Sequence, residues 1–200
     1  MGSDVLTLLV RWGTMRVVSV NVSLPQTVEW RGREVSTAIF KEPAEGRIRI
    51  RSTGLVGDRQ ADPSVHGGPM KAVYAYPSEH YPFWRGELER ADLPWGSFGE
   101  NLTTEGLDEG TVRIGDRLRV GSALLKVTQP RMPCYKLGIR FGRADMVRRF
   151  LASGRSGFYL TVLKEGDVAA GDPIVLLGTD GARPTVSEVV DEVRQEEPDG

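Results

Sequence analysis

Cysteine and histidine are scarce in this chain: its 200 residues hold one cysteine, Cys134, and two histidines, His66 and His80. A lone cysteine forms no internal disulfide. Zinc sites draw on three or four nitrogen, sulfur or carboxylate ligands, and neither Cys-x-x-Cys nor His-Glu-x-x-His occurs. The Gly-x-Ser-x-Gly elbow of many hydrolases is missing, as are a Walker ending, a Gly-x-Gly-x-x-Gly opening a helix and a pyridoxal-phosphate lysine motif. Long apolar runs are absent too. The stretch Val5 to Val10 is too short for a signal peptide or a membrane span, so the expected compartment is a reducing cytoplasm. An excess of one charge is also lacking, with 26 basic against 27 acidic side chains. No overall field therefore favours nucleic acid or a membrane surface, and any anion site must be local.

Glycine, by contrast, is plentiful at 24 residues, well above the usual share of about 7%, and implies many tight turns. Between the glycines run short β-branched stretches: Arg16 to Val22, Arg47 to Arg51, Ala72 to Tyr76, Arg117 to Val120, Ala123 to Thr128, Phe158 to Leu163 and Ile174 to Leu177. These read as strands. Gly121-Ser122 has the spacing and leading glycine of a type II′ hairpin. The segment Val112 to Val120, with Gly115-Asp116, echoes Val168 to Leu176, with Gly171-Asp172, although Gly-Asp is common in turns. A mostly-β barrel or sandwich is expected rather than a parallel α/β sheet.

Two helices are expected. One spans Pro77 to Arg90, with Tyr81, Trp84 and Leu88 on one face and a kink or restart at Pro82. The other spans Ala144 to Ser153 and stops at Gly154. Met15 directly precedes the first strand. The expected division is an N-terminal extension over 1–14, a barrel domain over 15–178, and a short polar, possibly helical tail over 179–200. The alternating arginines of 47–51 read as a solvated strand face.

Cys134 lies in Gln129-Pro130-Arg131-Met132-Pro133-Cys134-Tyr135-Lys136, stiffened by prolines and flanked by Arg131 and Lys136. Nearby cations favour a thiolate, the form that attacks electrophiles and binds soft metals. A lone cysteine is also often just a small buried hydrophobe. A second cluster, Gly57 to Lys71, gathers Asp58, Arg59, Asp62, His66, Gly67, Gly68 and Lys71 in one glycine-rich loop. Backbone N–H groups at Gly67-Gly68 could approach an anion, with Arg59, His66 and Lys71 as its partners. A third segment, Gly96 to Gly106, offers Glu100 and Asn101 in a tight loop. Cys134 with His66, oriented by Asp58 or Asp62, is one conceivable nucleophile pair. His80 reads as packing or surface.

Taken in order, Gly57-Asp58-Arg59, His66-Gly67-Gly68, Lys71-Ala72-Val73, Phe98-Gly99-Glu100-Asn101-Leu102, Ile114-Gly115-Asp116 and Gln129-Pro130-Arg131-Met132-Pro133-Cys134 resemble the MOSC domain, named for the C-terminal region of molybdenum cofactor sulfurases. The stretches Tyr74 to Tyr81 and Phe141 to Met146 further resemble its YiiM-like bacterial branch. The resemblance implies a MOSC-type β-barrel with a few short helices, holding the molybdenum cofactor, a molybdopterin with one phosphate. It implies Cys134 as the molybdenum ligand. Arg59, His66, Gly67, Gly68, Lys71, Asn101, Arg131 and Lys136 are then expected to grip the pterin and its phosphate.

The activity implied is reduction of small N-hydroxylated compounds by N–O cleavage, with His66 or Asp58 supplying protons. Electrons would come from a separate reductase, because one cysteine and no dinucleotide fingerprint leave no place for flavin, haem or an iron–sulfur cluster. Two other readings stay open: a sulfur carrier with a persulfide on Cys134, and a non-catalytic cofactor carrier. The short C-terminal part departs from the longer YiiM-like proteins, and the oligomeric state is not legible.

Overall fold

A computed structural model describes residues 14–60 and 68–196. In chain order the strands are β1 (Arg16–Val22), β2 (Gln26–Trp30), β3 (Arg33–Thr37), β4 (Glu42–Pro43), β5 (Ile48–Arg51), β6 (Gly54–Leu55) and β7 (Val73–Pro77). They continue with β8 (Leu102–Glu105), β9 (Arg117–Val120), β10 (Ala123–Pro130), β11 (Phe158–Lys164), β12 (Gly166–Val168) and β13 (Ile174–Gly178). Among the described residues four α-helices accompany them: α1 (Tyr81–Glu87), α2 (Tyr135–Phe141), α3 (Met146–Ser153) and α4 (Val186–Glu196).

The protein is mostly β, built on an eight-stranded sheet of order β13-β9-β10-β11-β7-β8-β1-β4. Every neighbouring pair in it is antiparallel except β7 and β8, which run parallel. The expected mostly-β class is met, while the expected MOSC-type β-barrel is corrected, since the sheet does not close. Among the described residues no ladder joins the sheet's two ends. The sheet curls until the segment before β13 meets β1, where Val17 N donates to Asp172 O (2.9 Å) and Ile174 N to Met15 O (2.9 Å). Contact stops at a single bridge, Arg16 to Pro173.

The sequence echo is a repeated turn. Asp116 Oδ2 accepts from Arg113 N and Asp172 Oδ2 from Ala169 N, both at 2.9 Å. Gly115 N donates to Val127 O and Val127 N to Asp116 O; Gly171 N donates to Val17 O and Val17 N to Asp172 O. Both glycines sit at positive φ, 94° and 88°. The two turns feed β9 and β13, which pair with each other.

The Gly121-Ser122 hairpin forms as expected between β9 and β10, with Val120 opposite Ala123. Gly121 has φ 57° while Ser122 is not among the positive-φ residues, the type II′ pattern. Arg47 pairs with Asp172, and Arg49 with Asp167 and Glu165, on the solvated face anticipated for that strand.

β7 is buried at all five positions and separates two cores by its alternation. Val73 and Ala75 join an aliphatic core inside the sheet with Val17, Leu102, Leu125 and Leu160. Tyr74 and Tyr76 join an aromatic core under the helices with Trp84, Phe98, Leu137 and Phe150. Tyr76 stacks on Phe98 at 4.6 Å and accepts from Trp84 Nε1 at 2.7 Å. Each such fully buried side chain contributes about 1.5–3 kcal/mol relative to exposure.

The expected helix over 77–90 splits. A 3-10 turn covers Ser78–His80, and α1 restarts at Tyr81 with Pro82 in its first turn, where no backbone N–H is required. α3 ends at Gly154 with φ 67°. Of the segment expected as a tail, 186–196 form α4, whose Val186 and Val190 are buried. The expected extension over 1–14 lies outside the described residues save for Thr14.

Candidate functional site

β10 ends at Pro130, and the connection Arg131 to Cys134 delivers the chain into α2. Cys134 occupies the N-cap with extended backbone (φ −127°, ψ 171°), and its carbonyl accepts from Leu137 N at 2.9 Å. Its thiol is free and half-buried. It lines a cleft of about 670 Å³ together with Lys41, Asp58, Lys71, Arg131 and Tyr159. Thr37 and Ile39, just past the β2–β3 hairpin, form part of the wall, as do Tyr74, Asn101 and Lys136.

Arg131 is 5% exposed. Its guanidinium lies between the rings of Tyr74 (5.3 Å) and Phe150 (5.1 Å), and its backbone N donates to Gly157 O at 3.2 Å. Burial disfavours its charge, but neighbouring Tyr74, Tyr159 and Cys134 more than offset this. Nη1 has no hydrogen-bond partner among the described residues. A buried cation with an unused donor beside a cleft is suited to an anion.

Asp58 is fully engaged. Its Oδ1 accepts from Ser23 N (2.9 Å) and from Lys41 Nζ, and its Oδ2 accepts from Asn101 Nδ2 (2.8 Å). Burial lowers the Lys41 ammonium below the usual lysine range, and Asp58 opposes that shift. Asp58 thus ties Lys41 and Asn101 together at the wall of the cleft. Asn101 is similarly occupied, since Oδ1 accepts from Tyr74 N at 3.1 Å and ties the loop before β8 to β7. Its neighbour Glu100 is wholly buried and accepts from Tyr81 Oη, Gly96 N, Phe98 N and Thr103 Oγ1. Burial raises the Glu100 carboxyl above its ordinary range against those hydrogen bonds.

Of the residues the sequence points to, Asp58, Lys71, Asn101, Arg131, Cys134 and Lys136 come together in this cleft. Arg59 and Gly68 line an adjoining cavity that shares Asp58 and Gln60 with it. His66, Gly67 and Asp62 lie outside the described residues. His80 is elsewhere, held by Glu109 at 2.8 Å. Lys41, Tyr74 and Tyr159 were not anticipated. Tyr74 and Tyr159 could have been found as neighbours in a strand alternation that carries them to the face of Arg131. Lys41 has no local signal. Among the described residues, no group of three or more His, Cys, Asp or Glu is placed to hold a metal, and no helix is long and apolar enough to cross a membrane.

This chain, whose mixed sheet carries a proline-framed cysteine lining a cationic cleft, matches the MOSC domain model over residues 62–175 and belongs to that family. Within it, the chain is related to YiiM and YflK. It is 47% identical to YflK of Bacillus subtilis over 80% of its own length and 72% of that protein. It is 43% identical to YiiM of Escherichia coli over 70% of its length and 64% of that protein. A Gibberella moniliformis protein named a reductase is 41% identical over 73% of this chain, which spans only 26% of that longer protein. The crystal structure of YiiM from Geobacillus stearothermophilus superposes with a TM-score of 0.76 at 34% identity, covering 91% of this chain and 85% of that one.

Proposed function

We propose that the protein is a molybdenum-cofactor oxidoreductase that reduces small N-hydroxylated compounds, with Cys134 as the protein ligand to molybdenum. The observation that carries this reading is the juxtaposition of Cys134 and the unpartnered, buried Arg131 Nη1 at one cleft. The donor set fits the group: a single soft thiolate for the metal, and Lys41, Lys71, Lys136 and Arg131 for an anionic pterin phosphate. The name of the fungal relative supports a reductase.

When bound, the cofactor supplies a two-electron couple and an acceptor for oxygen. The chain's own residues do the rest. Arg131, clamped between Tyr74 and Phe150, presents a fixed fork to an anion. Asp58 holds the Lys41 ammonium at the wall of the cleft. The overall change, R–NH–OH + 2 e⁻ + 2 H⁺ → R–NH₂ + H₂O, requires two protons at the leaving atoms and two electrons from a separate reductase.

The test is turnover. Cofactor-loaded protein given reduced methyl viologen and a panel of hydroxylamines, hydroxamic acids and amidoximes should release the corresponding amines, amides and amidines. No product from any of them would overturn the reading. Cyanide-releasable sulfur on metal-free Cys134 would favour a sulfur carrier instead, and bound pterin without turnover a storage role.

A further inference from the structure

We propose that Tyr159 is the proton donor of the cleft, a role that rests on the reductase reading above. The chemistry calls for an acid at the nitrogen or oxygen released by N–O cleavage; among the other polar groups of the cleft, Lys71 and Lys136 are assigned above to the pterin phosphate. Both Asp58 oxygens accept bonds, from Lys41, Ser23 N and Asn101. The Tyr74 hydroxyl donates to Ser156 O at 2.8 Å. Thr37 Oγ1 accepts from Ile39 N at 3.2 Å, and an aliphatic alcohol is a far weaker acid than a phenol. Arg131 does not give up a proton at any working pH. Lys41 is locked against Asp58.

Tyr159 is different: among the described residues its hydroxyl donates to none, it lies beside the Arg131 guanidinium, and the side chain lines the same cleft as Cys134. Its placement is rigid. It sits in β11 opposite Gln129 of β10, the strand that leads to Cys134. Tyr74 packs on its ring at 5.4 Å, and Lys71 Nζ lies 5.9 Å from the ring centroid. The charged and titratable groups around it are thus Arg131, Lys71, Tyr74 and Cys134; burial, with Cys134, keeps the phenol protonated above its ordinary range, while Arg131 opposes that shift and favours transient negative charge on its oxygen.

In this step the Tyr159 O–H bond breaks and its proton passes to the leaving nitrogen as the N–O bond is cleaved. The two electrons of the balance would be supplied by the external reductase through the cofactor that Cys134 and Arg131 would hold. The phenolate then regains a proton from solvent, and the second proton of the balance reaches the released oxygen from water.

The experiment compares wild-type and Tyr159→Phe holoprotein, both assayed with reduced methyl viologen and the same panel of N-hydroxylated compounds. The variant should keep wild-type molybdenum and pterin content and its thermal midpoint. Its kcat should fall about 10²-fold, with KM changed by less than about threefold. Small general acids such as ammonium or imidazolium buffer should restore part of the rate in proportion to their concentration, in the variant but not in wild type. A variant with wild-type kcat, or a slow one with no buffer rescue, overturns the assignment of Tyr159 while leaving the reductase reading intact. A wild type with no turnover overturns both.

Discussion

Lys41 and Asp58 form an ion pair in the wall of the cleft, with side chains only 8% and 9% exposed. Glu100 adds a second negative charge near the same ammonium. Removing one member of a buried pair leaves the other charge uncompensated, at a cost of about 3–5 kcal/mol. Lys41→Met should therefore lower the unfolding free energy by about that amount, and the double variant Lys41→Met, Asp58→Leu by less. Urea denaturation of the three proteins checks this; equal losses for the single and double variants would contradict it.

Glu100 predicts a pH dependence. Its carboxyl is raised above the ordinary 4.5 by burial, so it ionises less readily folded than unfolded. Its contribution is fully present below pH 4.5, and stability is lost as pH rises through the folded value. Glu100→Gln should be less stable overall, because its amide N–H₂ faces Gly96 N or Phe98 N. It should also show a flatter slope of stability above pH 4.5. Thermal unfolding across that window measures both.

How far these features could be read in advance depended on whether their cause was local. The Gly121-Ser122 turn and the halt of α3 at Gly154 are set by one or two residues, and both formed as expected. So did the burial of Tyr81, Trp84 and Leu88 on one face. α2 was missed because it has only seven residues with Gly138 at its centre, a poor helix former. Glycine is required there, since a Cβ would meet Arg143 O at 2.8 Å. The β2–β3 hairpin was missed because only Val28, Trp30 and Val35 of its strand residues are apolar, and its turn, Arg31-Gly32, puts an arginine at φ 54°. A capping box at the start of α4 was overlooked, with Thr185 N donating to Glu188 Oε2 and Glu188 N to Thr185 Oγ1.

In the site, Cys134 and Arg131 were legible because prolines and charges frame them within a few residues. Lys41 was not, since its partner Asp58 comes from a different loop and only the fold brings them together. The three donors that Asp58 accepts from were hidden for the same reason, being distant in sequence. Curvature of the sheet short of closure was equally hidden, because it depends on contacts between segments distant in sequence, such as Arg16 and Pro173.

Arg131 predicts a trade between stability and binding. A buried guanidinium with an unused donor is held at a cost in the ligand-free protein. Arg131→Met also loses two cation–π contacts, each worth about 0.5–2 kcal/mol. The two effects oppose, so ligand-free stability should stay within about 1 kcal/mol of wild type, or about 2–4 °C in Tm. Pterin content of the purified variant should nevertheless drop severalfold. Calorimetry with pterin fluorescence checks both; a variant that retains full pterin would show that Arg131 does not grip the cofactor.

The central claim is that Cys134 holds molybdenum at this cleft. Its most direct test is the molybdenum and pterin content per chain of wild type and Cys134→Ala, both expressed in a host that makes the cofactor. The account predicts near-stoichiometric metal and pterin in wild type, with metal lost from the variant. Wild-type protein that carries neither, even after reconstitution with the free cofactor, would contradict it.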